Sequence, residues 1–148
     1  MDENPFSVEQ PSHSLGFALW QATTLWQRQL KRVLDPFDVS HAQFVLMASL
    51  LWFEHQGKKI SQIDLIKHSK LDKMTVSKSL LKLQSMGYIT RLQSEQDTRA
   101  KIATLTMEGE KMAAKLVRLI EAEDARFFNQ LTFKKQKSLL ECFLELSR

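Results

Sequence analysis

Residues 61–105 read SQIDLIKHSKLDKMTVSKSLLKLQSMGYITRLQSEQDTRAKIATL, and a change of hydrophobic period inside this stretch decides the fold. Ser61 followed three residues later by Asp64 has the form of an amino-terminal cap for a short helix over 62–68, with Ile63, Leu65 and Ile66 on its apolar side. Asp72 caps a second helix running from Lys73 to Met86, in which Val76, Leu80 and Leu83 recur at helical spacing and Gly87 supplies a stop. The period then shortens to two. Tyr88 to Leu92 and Lys101 to Leu105 alternate as strands on either side of a polar, charged tip at 93–100. Helix, turn, helix, hairpin is the order of a winged helix-turn-helix, whose second helix enters the major groove while the hairpin reaches the adjacent backbone or minor groove.

Turning Val76, Leu80 and Leu83 inward turns Lys73, Met74, Ser77, Lys78 and Leu81 outward. That face mixes cations, a hydroxyl and apolar groups, which suits phosphate anchoring, base-edge hydrogen bonds and thymine-methyl packing. The candidate DNA-binding residues are therefore Lys73, Thr75, Ser77, Lys78 and Lys82 from the helix and Arg91, Asp97, Arg99 and Lys101 from the hairpin. Arginine suits a narrow minor groove, and Asp97 can orient Arg99 or tighten the turn. Blander roles fit the same residues. Thr75 can serve only as a local cap partner of Asp72, the lysines and Ser77 can form a plain solvated face, and Asp97 with Arg99 can be a weak surface ion pair.

The 148 residues suffice for one domain with a core and an appended dimer element, and the 43% hydrophobic, 26% charged composition excludes a disordered or collagen-like chain. The net charge of +4 is unevenly placed: residues 56–105 hold 10 Lys or Arg against 4 Asp or Glu, whereas residues 1–55 hold 3 against 6. A phosphate-contacting surface is therefore sought in the middle third. The single Cys142 forms no internal disulfide, no signal-like segment opens the chain, and the apolar run Phe44 to Phe53 is about half a membrane span. A cytoplasmic protein with no membrane association is expected.

No nucleophile-base cluster, phosphate-cradling glycine loop or metal-ligand spacing is present, and His13, His41, His55 and His68 are scattered. The chain reads as no enzyme, with neither cofactor nor metal. Residues 1–12, with Pro5 and Pro11, form a flexible arm, and Leu15, Ala18, Leu19, Ala22, Trp26, Leu30 and Val33 define a long amphipathic helix ending near Pro36. Phe17, Trp20 and Leu25 lie partly off that stripe, and a second contact face in so small a chain points to oligomerisation. Ser40 caps an apolar central helix; Thr106 caps a long helix from Met107, whose Gly109 weakens the first turn; Thr132 caps a last helix with Leu139, Leu140, Phe143, Leu144 and Leu146. The expected fold is mainly α with a small β-hairpin, a winged helix-turn-helix over 57–105 set between dimerisation and core helices at 13–56 and dimerisation helices at 106–148.

At Leu65, Leu71 through Leu83, the run GYITR at 87–91, Asp97-Thr98-Arg99 and LTMEG at 105–109, the chain resembles the multiple antibiotic resistance regulator (MarR) family of transcription regulators. The resemblance spans roughly 14–148 and implies a homodimer that reads an inverted-repeat site in double-stranded DNA, often as a repressor released by a small molecule. It places the recognition helix on Asp72 to Ser85 and the wing on Asp97 and Arg99, although the second arginine common beside the latter is Thr98 or Ala100 here. A ligand pocket between dimer helices and the DNA-reading domain draws on Trp20, His41, Trp52 and His55, though both tryptophans also suit a core or interface. Peroxide-sensing relatives carry a reactive cysteine near the first helix, whereas Cys142 sits among Leu139, Leu140, Phe143 and Leu144 and reads as a buried structural thiol. The competing function is a noncatalytic protein-interaction regulator that retains the winged fold.

Overall fold

The structure, a computed structural model, describes residues 3–93, 95 and 101–148. Helix α1 (Leu15–Leu34) opens at Ser14, whose Oγ accepts the Phe17 N–H at 3.2 Å, and gives way to a single tight turn over Asp35–Phe37 around Pro36. Helix α2 (His41–His55) begins at a complete capping box: Ser40 Oγ accepts the Gln43 N–H at 3.1 Å and Gln43 Oε1 accepts the Ser40 N–H at 3.0 Å. Its apolar residues surround the helix axis rather than forming a stripe, which makes it the central element, with Phe44, Leu46, Met47 and Leu50 buried.

Strand β1 (Ile60–Ser61) leads into α3 (Gln62–Ser69), capped by Ser61 and Asp64 as the sequence pattern requires. Lys70 takes a left-handed conformation at φ 63° to turn the chain into α4 (Lys73–Ser85). Strands β2 (Ile89–Gln93) and β3 (Lys101–Leu105) pair antiparallel with Arg91 opposite Ala103 and Gln93 opposite Lys101. Ile60 of β1 pairs with Ala103, so the hairpin becomes a three-stranded sheet in the order β1-β3-β2. Because β1 is so short, the Leu105 N–H has no strand to bond, and Glu54 Oε1 accepts it at 2.9 Å from the last turn of α2. Burial pushes the Glu54 carboxyl above the ordinary glutamate range; the hydrogen bond from Leu105 only partly offsets that rise.

Helices α5 (Met107–Phe128) and α6 (Phe133–Leu146) complete the chain. The core joins Leu30 and Leu34 of α1, the buried face of α2, Leu65 of α3, Val76, Leu80 and Leu83 of α4, the sheet residues Ile89, Ala103 and Leu105, and Ala113, Leu116 and Ile120 of α5. The first half of α1 and all of α6 stay outside it. Leu15, Leu19 and Trp20 of α1 and Phe133, Leu140, Leu144 and Leu146 of α6 are exposed within the chain. Cys142, expected to be buried, is exposed as well, because α6 turns no face into the core of its own chain. Among the described residues no helix is long and apolar enough to cross a membrane.

Candidate nucleic-acid interface

Helix α4 is held at its start by Asp72, which accepts both the N–H and the hydroxyl of Thr75 at 2.8 Å. These hydrogen bonds hold the Asp72 carboxyl below the ordinary aspartate range, so it is ionised and acceptor-only at neutral pH. The Thr75 hydroxyl proton is thereby committed, leaving its oxygen lone pairs for a donor. Ser77 is half-buried, and its Oγ accepts the Gln62 Nε2–H at 2.7 Å. That bond ties the first turn of α3 to the middle of α4 and leaves the Ser77 O–H free to donate outward.

The remaining candidates lie on α4 and the sheet. Lys73 and Lys78 are exposed, and Lys82 is exposed near the carboxyl end of α4, 4.0 Å from Asp38 at the turn between α1 and α2. An exposed pair at that distance contributes little. Arg91 is half-buried at the root of the hairpin, where its Nε donates to Gln84 Oε1 of α4 at 3.1 Å, which fixes β2 against the helix. Lys101 is exposed at the start of β3. Asp97 and Arg99 lie outside the described residues. Gln62 and Gln84, which lock α3 and the hairpin onto α4, were absent from the sequence reading; each is a helix residue whose partner lies on a different element, a pairing that periodicity does not reveal.

The four effector candidates do not share a pocket within one chain. Trp20 is 69% exposed and Trp52 62% exposed. His41 and His55 stand at opposite ends of α2, about 21 Å apart along the axis of a helix that rises 1.5 Å per residue. His41 alone among them is half-buried: its ring meets the Trp26 indole edge-on at 5.1 Å, and Trp26 Nε1 donates to Asp124 Oδ1 at 2.7 Å, so α1, α2 and α5 converge there. Burial lowers the His41 pKa below the ordinary histidine value, against the opposing pull of Asp124. His41 also lines a cleft of about 430 Å³ with Gln27, Lys31, Asp38 and Lys82, a volume within the range of small-ligand sites. Among the described residues no three His, Cys, Asp or Glu side chains form a metal-binding group.

Residues 35–123 match the family described as the ArnR1-like, winged-helix domain. The chain is 39% identical over 119 residues to the HTH-type transcriptional regulator YdcH of Bacillus subtilis, covering 80% of each protein. Its fold is similar to that of BpsR from Bordetella bronchiseptica, whose DNA binding is regulated by 6-hydroxynicotinic acid: the TM-score is 0.84 at 19% identity, over 97% of this chain and 98% of that one. It is likewise similar to a mutant MarR from E. coli complexed with operator DNA, with a TM-score of 0.78 at 22% identity over 89% of this chain and 92% of that one.

Proposed function

Because this chain belongs to the ArnR1-like winged-helix domain family, we propose that it is a transcription regulator of the MarR type, a cytoplasmic, homodimeric repressor that binds an inverted repeat in double-stranded DNA and answers to a small molecule. The observation that carries this reading is the outer face of α4, where Lys73 and Lys78 are exposed on a helix braced from both sides by Gln62 and Arg91. Lys73, Lys78, Lys82, Arg91 and Lys101 then contact phosphates, Thr75 and Ser77 meet base edges, and Arg99, oriented by Asp97, enters the minor groove. Segment 57–105 reads the DNA, while 13–56 and 106–148 hold the dimer.

The exposed apolar side chains of α1 and α6 support the dimer, since an amphipathic helix that buries nothing within its own chain is stabilised by a second surface. His41 and the cleft beside Lys82 are the effector region in this reading, because a ligand seated there touches α1, α2 and the end of α4 together. The regulation of BpsR by 6-hydroxynicotinic acid supports an effector of small size. Selection of fragmented genomic DNA from the source organism tests the proposal, run at one salt concentration with the wild type, Lys78→Ala and Arg99→Ala. An inverted repeat enriched by the wild type and weakened in both variants is the expected result. A folded dimer that enriches nothing across a salt series overturns it in favour of a protein-interaction regulator.

A further inference from the structure

We infer that Met74 and Leu81 contribute base specificity by reading thymine 5-methyl groups, an inference that rests on the DNA-binding function proposed above. Both side chains are exposed, Met74 at 66% and Leu81 at 56%, on the face of α4 opposite the buried Val76, Leu80 and Leu83. An isolated exposed apolar residue is ordinary. Here two stand seven residues apart on one helical face, with Lys73 and Lys78 beside them to draw a polyanion onto it.

The same face is poor in the side chains that read bases in pairs of hydrogen bonds. Strong discrimination of guanine or adenine in the major groove comes from bidentate contacts by Arg, Lys, Asn or Gln. Helix α4 contains neither Arg nor Asn, and the Oε1 of its one glutamine, Gln84, accepts the Arg91 Nε–H, which leaves that amide only its N–H donors. One N–H of the neighbouring Gln62 amide is committed to Ser77, and the Thr75 proton to Asp72. Beside the lysines and the remaining N–H donors of Gln62 and Gln84, the face offers the Ser77 hydroxyl and two apolar side chains. The apolar feature that bases present in the major groove is the thymine methyl. Met74 and Leu81 are about 10 Å apart along the helix axis, which matches about three base-pair steps. Each half-site therefore carries two thymine methyls about three steps apart, with an acceptor between them for Ser77.

The test uses the full chain and the operator recovered by selection, with each thymine replaced singly by deoxyuridine, which removes the methyl and keeps the Watson–Crick edge. Wild-type binding is expected to weaken about fourfold at each of two positions per half-site, the effect of uncovering one methyl-sized apolar group. In Met74→Ala one of these positions becomes insensitive to the replacement, and in Leu81→Ala the other does. Both residues are exposed, so the variants keep the fold, which circular dichroism verifies. Binding indifferent to deoxyuridine everywhere overturns the methyl reading and leaves DNA binding standing. Sensitivity that persists unchanged in both variants overturns the assignment to Met74 and Leu81. A wild type that binds no DNA overturns the proposed function itself, and this inference with it.

Discussion

Gly109 stands in the first turn of α5, where the amino-acid sequence alone counts it as a weakness in a helix. The structure gives the reason for it. Thr106 donates its hydroxyl to the Gly87 carbonyl at 2.6 Å and accepts the Gly109 N–H at 3.0 Å, while the Thr106 N–H bonds the Tyr88 carbonyl. This knot draws α5 so close to the entry of β2 that a Cβ on Gly109 would overlap the Tyr88 carbonyl. Helix propensity favours alanine over glycine by about 1 kcal/mol, but overpacking against a backbone that is itself hydrogen-bonded costs about 1–3 kcal/mol or more. Gly109→Ala is therefore expected to lower unfolding stability in a denaturant titration despite its better propensity. An equal or higher midpoint with unchanged slope would show that α5 does not approach this closely.

The junction of α1, α2 and α5 holds a histidine whose proton couples to folding. His41 has a lowered pKa because burial penalises the imidazolium more than Asp124 stabilises it. The unfolded chain therefore takes up the proton first as pH falls, and stability declines once pH drops below the ordinary histidine value of 6.5. Thermal unfolding between about pH 7.5 and 5.5 is expected to show this decline, and a His41→Gln variant is expected to show a shallower one. Identical slopes in the two proteins would remove His41 from the account. The elements themselves were legible from caps and periods: Ser40, Ser61, Asp72, Thr106 and Thr132 each cap the helix expected of them. Contacts between elements were not. The bond from Gln62 to Ser77 and that from Glu54 to Leu105 join residues 15 and 51 positions apart, and nothing in local spacing marks them. The thiol of Cys142 was misplaced for a related reason, since a leucine-rich helix predicts burial without specifying whether its own chain supplies the cover.

The whole molecule separates two surfaces by chemistry. The outer ends of α1 and α6 carry large apolar side chains in the open, and the winged segment carries the excess of lysine and arginine. An apolar surface without cover in its own chain suits self-association, and a cationic helix face braced by its neighbours suits a polyanion with regular spacing. Joining two copies through the first surface holds two copies of the second at a fixed distance, which is what an inverted repeat requires. A ligand in the cleft between α1, α2 and the end of α4 changes that distance only if it binds one spacing better than the other.

The claim that the α4 face meets DNA phosphates is tested most directly by the salt dependence of binding to the selected operator, measured for the wild type and for a Lys73→Ala/Lys78→Ala double variant. Each phosphate contact contributes about one unit to the slope of log affinity against log salt concentration. Weaker binding and a slope shallower by about two are expected in the double variant, with the dimer intact. An unchanged slope and affinity would place the DNA elsewhere on the molecule and contradict it.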